Sequence, residues 1–257
     1  MIALAQESLT SQVLAWVRGE EFASVDGLPQ LALEHLWLSG LALAVACAVA
    51  LPPALHLAHR GKAPVLSINL ANAFRAIPAF GLLLVTFQLG GFSTVLLVLV
   101  FALIGVAPIF ANTYIGIRQV DPEVIDAAAG MGLTSRQQLW QVEVPLATPV
   151  IMAGIRTAAV NIVATVPLAA VVGFGGLGEP IIAGLARGLQ FSESARALAL
   201  GGAVAVAVVS IASEAAFGAL QRRIVPEGIR LRDAASRSGG AAADADQPAD
   251  TPEPAQI

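Results

Sequence analysis

Hydrophobic residues in this chain gather in long runs that charged side chains interrupt only at their ends. About 20 apolar residues in a helix are needed to cross the roughly 30 Å hydrocarbon core of a membrane. The run over residues 76–117 is long enough for two spans, and the segment Leu89-Gly90-Gly91-Phe92-Ser93 inside it is typical of a turn. The pattern predicts five membrane-spanning helices, near residues 33–58, 65–89, 93–117, 146–172 and 196–221.

The composition favours an all-α, polytopic membrane protein. Of the 257 residues, 56% are hydrophobic and 12% are charged, whereas charged residues make up about 25% of a typical soluble domain. Lys and Arg total 14 against 18 Asp and Glu, so no basic face for nucleic acid is expected. Cys47 is the only cysteine, and the three histidines are scattered near span ends. Neither a disulfide nor a metal site is therefore predicted.

The distribution of basic residues predicts the orientation, because cytoplasmic loops close to spans collect Lys and Arg. With the N-terminus outside, three basic residues fall on the outer side, namely Arg18, Arg187 and Arg196. Nine fall on the cytoplasmic side, namely Arg60, Lys62, Arg118, Arg136, Arg222, Arg223, Arg230, Arg232 and Arg237. We therefore expect a multi-pass protein of the inner or plasma membrane, surrounded by lipid, with its N-terminus outside and its C-terminus in the cytoplasm.

Three regions are expected along the chain. Residues 1–30 lack the basic start and long apolar centre of a cleavable signal, so we expect a retained extracytoplasmic segment. Residues 31–225 form the transmembrane domain. Residues 226–257 are rich in Ala, Asp, Pro, Ser and Gly, and such a composition buries too little apolar surface to fold. A disordered cytoplasmic tail is predicted there.

One polar connection, over residues 118–145, is much longer than the others and lies on the predicted cytoplasmic side. Asp121-Pro122-Glu123 is typical of a helix start, and Gly132 can end that helix in a left-handed conformation. Ser135 followed by Gln138 indicates a capping box for a second short helix, from Arg136 to about Val142, before Pro145 starts the next span. A helix pair of this kind is found both in plain connections and at docking sites.

The segment DAAAGMGLTSRQQLWQVEVP, residues 126–145, resembles the cytoplasmic "EAA" loop of the membrane subunits of type I ABC importers. Asp replaces the usual Glu at position 126, which keeps the charge and shortens its reach. The resemblance covers roughly residues 33–221 and is closest to osmoprotectant permeases, for glycine betaine, carnitine and choline. It also rests on EHLWLSGLALAVACAVALPPAL (34–55), NAFRAIPAFGLL (72–83), GIRQVDPEVIDAAAGMG (116–132), PLATPVIMAGIRTAAV (145–160) and GFGGLGEPI (173–181).

The resemblance implies a permease subunit that works with other chains. The phosphate-binding pattern GxxxxGK[ST] is absent, so ATP and Mg would be used by a separate ATPase, and no cofactor is expected on this chain. An extracytoplasmic binding protein would deliver substrate near residues 173–178, a glycine-rich segment that is otherwise a simple turn. A second copy, or a homologous permease, would complete the pore. The residues expected to couple the loop to the ATPase are Asp126, Ala127, Ala128, Gly132, Arg136 and Pro145.

Polar residues inside spans are the candidates for the translocation pathway, because such groups are costly in hydrocarbon. For Asn72 and Arg75 the alternatives are bonding between helices and snorkelling to the interface, and for Asn161 and Thr165 the alternative is bonding between helices. For Arg156 the alternative is an ion pair with Glu143 or Glu214. The candidate pathway residues are Asn72, Arg75, Arg156, Asn161, Thr165 and Glu214.

Other functions stay open at this point. An ABC permease for another small solute, such as an amino acid, would show the same loop. An ion-coupled secondary transporter also uses broken helices and buried charges, but it usually has more spans and an internal repeat. A membrane enzyme would need paired catalytic groups, and neither GxSxG nor HExxH occurs in the sequence.

Overall fold

The computed structural model describes residues 27–61, 78–189 and 193–224. All regular secondary structure within these ranges is helical, which confirms the all-α prediction. The α-helices are α1 Leu28–His59, α2 Ala79–Gly90, α3 Thr94–Arg118, α4 Pro122–Gly130, α5 Ser135–Gln138, α6 Val144–Thr165, α7 Glu179–Ala186 and α8 Glu193–Ile224. A π-helical segment, Leu139–Glu143, joins α5 to α6, and a 3-10 helix, Val166–Val172, extends α6.

Four helical stretches are long and apolar enough to cross a membrane, namely Leu28–His59, Thr94–Arg118, Ser135–Val172 and Glu193–Ile224. They correspond to four of the five predicted spans. α2 is a shorter apolar helix of 12 residues. The first part of the predicted span near residues 65–89 lies outside the described residues, together with Asn72, Arg75 and the segments 1–26 and 225–257. A fifth span therefore stays a prediction.

The first helix packs through a stripe of small side chains. Every fourth residue of α1 is a buried alanine over more than four turns, namely Ala42, Ala46, Ala50, Ala54 and Ala58. Small residues at this spacing let helix backbones approach closely where no hydrophobic effect drives association. At Gly105 of α3, a Cβ atom would lie 2.9 Å from both the Ala46 Cβ and the Ile162 Cδ1. Helices α1, α3 and α6 therefore cross at a point where only glycine fits.

The helix α7 was not expected from the sequence. Residues 173–178 form a glycine-rich turn after the 3-10 helix, and α7 then packs against the start of α8. Two glycines permit this contact: Gly184 faces the Ala195 carbonyl, and a Cβ atom at Gly202 would lie 2.8 Å from Ile181 Cγ1. The segment between the last two long helices is thus a turn and a short helix, not the simple turn considered above.

The start of the polar connection is as predicted. The Asp121 carboxylate accepts a hydrogen bond from the Glu123 amide at 3.0 Å, and Pro122 is the first residue of α4. α4 ends at Gly130, and Gly132 has a φ of +87°, the left-handed conformation that glycine permits.

The second short helix of this connection differs from the prediction. Its cap is Thr134, whose partner in the capping box is Gln137, so the box lies one residue before the predicted Ser135 and Gln138 pair. The helix does not end before Pro145, because the chain stays helical from Ser135 to Val172. Pro145 has no N–H to donate, and the wider π-helical turn that ends at Glu143 lets the helix continue without that hydrogen bond.

Candidate functional site

The loop that carries the EAA-like motif presents an exposed polar face. Asp126 and Ala127 of α4 are exposed, as are Gly132 and Arg136 after it, and all are available to another chain. Ala128, which was expected to share their coupling role, is buried. Of the two alanines, only Ala127 therefore lies on the exposed side of α4. Pro145 is also exposed, in the first turn of α6.

An apolar cluster anchors this loop to the long helices. Its buried members come from α1, α3, α6 and the connection after α3, namely Ala58, Tyr114, Ile117, Val120, Ala147 and Ile151. Ile125 of α4 and Leu139 of the π-helical segment pack against it. The loop is thus bound to the ends of three long helices, and displacement of α4 would be felt by all of them.

A polar cluster lies beside the apolar one, at the C-terminal end of α1. His59 Nδ1 donates to both carboxylate oxygens of Glu143, at 2.8 and 2.9 Å, and His59 Nε2 lies 2.7 Å from Ser135 Oγ. Glu143 is buried, with 3% of its surface exposed. Sequence reasoning missed this cluster, because its members are 76 and 84 residues apart along the chain. The only hint was an ionisable residue, Glu143, at the apolar start of a span.

Arg156 of α6 is paired with Glu214 of α8, and Arg156 Nη2 donates the hydrogen bond. Of the two partners considered above, the structure thus selects Glu214 and not Glu143. Both side chains are partly exposed in the single chain. The same two helices are joined nearer the EAA-like loop by Gln221, whose side-chain amide donates to the Pro149 carbonyl at 3.2 Å.

Two further pathway candidates lie on the next turns of α6. Thr165 Oγ1 donates to the Asn161 carbonyl at 2.6 Å, so this hydroxyl is satisfied within its own helix. The Asn161 side chain is exposed in the single chain, together with Thr157 one turn earlier. Thr157, Asn161 and Thr165 follow one another at intervals of four residues and form a polar strip along α6. Asn72 and Arg75 fall outside the described residues and cannot be placed relative to it.

The opposite end of the bundle holds the glycine-rich turn against α1. The Glu34 carboxylate accepts from the Gly176 amide at 3.1 Å, and His35 Nε2 donates to the Val163 carbonyl at 3.0 Å. Gly178 faces the Pro167 carbonyl so closely that a Cβ atom would overlap it. Since α1 runs from this turn to the EAA-like loop, the two candidate docking regions lie at opposite ends of the bundle.

Metal binding is not indicated where the chain is described. Residues 27–61, 78–189 and 193–224 contain no group of three or more His, Cys, Asp or Glu side chains that could hold an ion. The acidic and histidine side chains that do meet, such as Glu143 and His59, use each other as partners.

The chain is similar to transport proteins over most of its length. Residues 40–226 match the family described as binding-protein-dependent transport system inner membrane component. The chain is 34% identical over 207 residues to the carnitine transport permease protein OpuCB of Listeria monocytogenes, covering 80% of this chain and 90% of that protein. It is 35% identical over 208 residues to the osmoprotectant import permease protein OsmW of Salmonella typhimurium, covering 79% of this chain and 94% of that protein.

A solved structure has the same fold. An inward-facing form of the MetNI methionine ABC transporter matches 76% of this chain and 94% of the transporter chain, with a TM-score of 0.62 and 17% sequence identity. At this identity the likeness concerns the fold alone.

Proposed function

Because the chain belongs to the family of binding-protein-dependent transport system inner membrane components, we propose that it forms the translocation pathway of an ATP-driven importer for an osmoprotectant such as glycine betaine, choline or carnitine. The observation that carries the substrate class is the 34–35% identity to carnitine and osmoprotectant permeases over most of both chains. Family membership confirms two predictions made from the sequence: the chain is an importer permease, and it is a transport subunit without its own ATPase activity.

The exposed face of α4 is the proposed docking site for the ATPase. Asp126, Ala127 and Arg136 are available there, and a helix carrying small and charged side chains suits a cleft on another protein. Gly132 sets the angle at which the chain leaves α4, and Ala128 supports the helix from beneath. Pro145 lies where the loop joins α6. ATP and Mg would be bound by the ATPase and not by this chain.

The polar strip on α6 and the Arg156–Glu214 pair are the proposed pathway-facing elements. Lipid tails offer no hydrogen-bond partners, so the exposed Asn161 side-chain amide must face water or another protein chain and not hydrocarbon. This requirement supports a pore shared with a second permease, which is either another copy of this chain or a homologue. Asn72 and Arg75 are retained as further pathway candidates.

The proposed sidedness follows from the charges and the two ends of the bundle. The end with the EAA-like loop also holds Arg60, Arg118, Arg222 and Arg223, and it would face the cytoplasm and the ATPase. The end with the glycine-rich turn would face the binding protein outside. The N-terminus would then lie outside and the C-terminus inside, in a multi-pass protein of the cell membrane.

Uptake measurements test this proposal. The full importer, with its ATPase and binding protein, would be expressed in a host that has no osmoprotectant uptake of its own. Labelled glycine betaine, choline, carnitine and a control amino acid would then be supplied under osmotic stress, with and without this chain. We expect chain-dependent uptake of one or more quaternary amines. Uptake of the amino acid alone would keep the importer mechanism and overturn the substrate class.

A further inference from the structure

The cluster of His59, Glu143 and Ser135 joins three parts of the chain that have separate roles. His59 is the last residue of α1, Ser135 is the first residue of α5 within the EAA-like loop, and Glu143 ends the π-helical segment before α6. One imidazole ring contacts both other members, at 2.7 to 2.9 Å. We propose that this cluster is the joint through which displacement of the loop is passed to α1, and that His59 and Ser135 are positioning residues for transport.

The contacts of His59 with Glu143 and with Ser135 have different structural roles. A buried carboxylate is costly unless it is paired and hydrogen-bonded, so Glu143 needs His59 in order to be buried at all. Ser135 is exposed and has no such need. Its contact with His59 Nε2 therefore adds a link between the loop and α1 that burial does not explain.

The link holds whether or not His59 carries a proton. In the neutral ring, Nδ1 donates to Glu143 while Nε2 accepts from the Ser135 hydroxyl. In the charged ring both nitrogens donate, and the Ser135 oxygen accepts. Both contacts can form in either state.

The surrounding structure makes this contact a suitable place to transmit movement. The π-helical turn between Ser135 and α6 is a wide turn of a kind often found at functional sites. It allows the helix start to shift relative to α6, whereas the cluster holds that start to α1. A push on α4 from an ATPase would then be passed through Ser135 and His59 to α1, and not only along the helix to α6.

Ser135→Ala gives the sharpest test, because it removes the link to the loop and leaves Glu143 paired with His59. This inference rests on the proposed function, so uptake and ATP hydrolysis are measured on the same proteoliposomes holding the full importer. We expect the ratio of substrate taken up to ATP hydrolysed to fall about fivefold, the effect of losing one hydrogen bond. The amount of assembled importer should not change. Ser135→Thr keeps the hydroxyl and should restore the ratio, and Gln141→Ala, at an exposed position in the next turn, should not affect it.

His59→Ala supplies the comparison with a structural role. It should lower the same ratio and also reduce the amount of folded protein, because Glu143 loses its partner. If Ser135→Ala matches the wild type while only His59→Ala is harmful, the cluster merely satisfies a buried charge and the joint is overturned. A wild-type importer that takes up neither the quaternary amines nor the control amino acid would overturn the proposed function, and this inference with it, whereas uptake of the amino acid alone would leave the joint to be tested with that solute.

The order of contacts, from hydroxyl to imidazole to carboxylate, is also that of a serine hydrolase triad. Labelling of the intact importer with a fluorophosphonate probe distinguishes a joint from a nucleophilic serine. Labelling that is abolished by Ser135→Ala would overturn the joint in favour of a nucleophile, and no labelling is expected.

Discussion

Arg156 of α6 donates a hydrogen bond to Glu214 of α8, and these two residues pair their charges inside predicted membrane spans. Charged groups at such depth are rare, and they usually pair with each other or face a water-filled cavity. Arg156 and Glu214 pair with each other. Their partial exposure in the single chain is also compatible with a position beside a water-filled cavity. It also fixes α8 to α6 at a depth between the EAA-like loop and the polar strip.

Removing one charge of this pair should impair transport. In Arg156→Gln or Glu214→Gln, the remaining charge has no partner, and we expect uptake to fall severalfold. The reversed pair, Arg156→Glu with Glu214→Arg, restores the attraction and should recover most of the uptake. Initial uptake rates, normalised to the amount of permease in the membrane, provide the measurement. If the reversed pair is as inactive as the single variants, each charge is needed at its own position, as a direct contact with the substrate would require.

Gly132 should be needed for its backbone conformation and not for space. Its φ is +87°, and no atom lies within 4 Å of the position that a Cβ would occupy. Left-handed backbone costs about 1–2 kcal/mol for a residue with a Cβ, and asparagine tolerates it best. We expect Gly132→Val to lower uptake strongly at unchanged protein level, and Gly132→Asn to have a smaller effect. Gly130→Ala, which also has open space but ordinary φ, is the matched control. Equal uptake in all three variants would show that the turn does not position α4.

Asp126 should matter for contact with another chain, because its side chain is exposed and α4 does not depend on it for its cap. Asp126→Arg reverses the charge on the proposed docking face. We expect the permease to insert normally while ATP-dependent uptake falls by at least tenfold, roughly the effect of losing one charge-assisted contact. Copurification of the ATPase with the permease measures docking directly. Asp126→Asn separates charge from size, and a normal yield of ATPase with Asp126→Arg would contradict docking at this face.

Much of the fold follows from local sequence. Long stretches without charge are sufficient to predict the four long helices, because an apolar segment of about 20 residues can satisfy its own backbone in a membrane only as a helix. The start of α4 is equally local, since Asp121 and Pro122 act on their immediate neighbours. The cap of the next helix could not be assigned in this way. Thr134 and Ser135 are adjacent, and each has a glutamine three residues later, so the choice depends on tertiary contacts. In the structure Ser135 contacts His59 instead of acting as the cap.

The missed features all depend on contacts between distant segments. The sequence places no polar partner near Glu143, because His59 comes from another helix. The helix α7 follows a run of glycines that locally favours a turn, and it is stabilised by packing of Gly184 and Ile181 against α8. Arg156 had two acidic candidates, and only the positions of the helices decide between them.

Gly178 should be needed because of its close approach to the Pro167 carbonyl, which brings the glycine-rich turn against the start of the 3-10 helix. A methyl group at this position would overlap that oxygen and force the backbone apart. Overpacking of this kind costs about 1–3 kcal/mol. We expect Gly178→Ala to lower the midpoint of thermal unfolding in detergent by roughly 4–8 °C.

Gly40→Ala is the control for this prediction. Gly40 lies in α1 with no atom within 4 Å of a Cβ position, so alanine there should leave the midpoint unchanged or raise it slightly, since alanine favours a helix. The two variants add the same methyl group and differ only in what surrounds it. Equal midpoints would therefore show that residues 173–178 can move away from Pro167 without loss of stability, and that the turn is not held against the bundle as the structure has it.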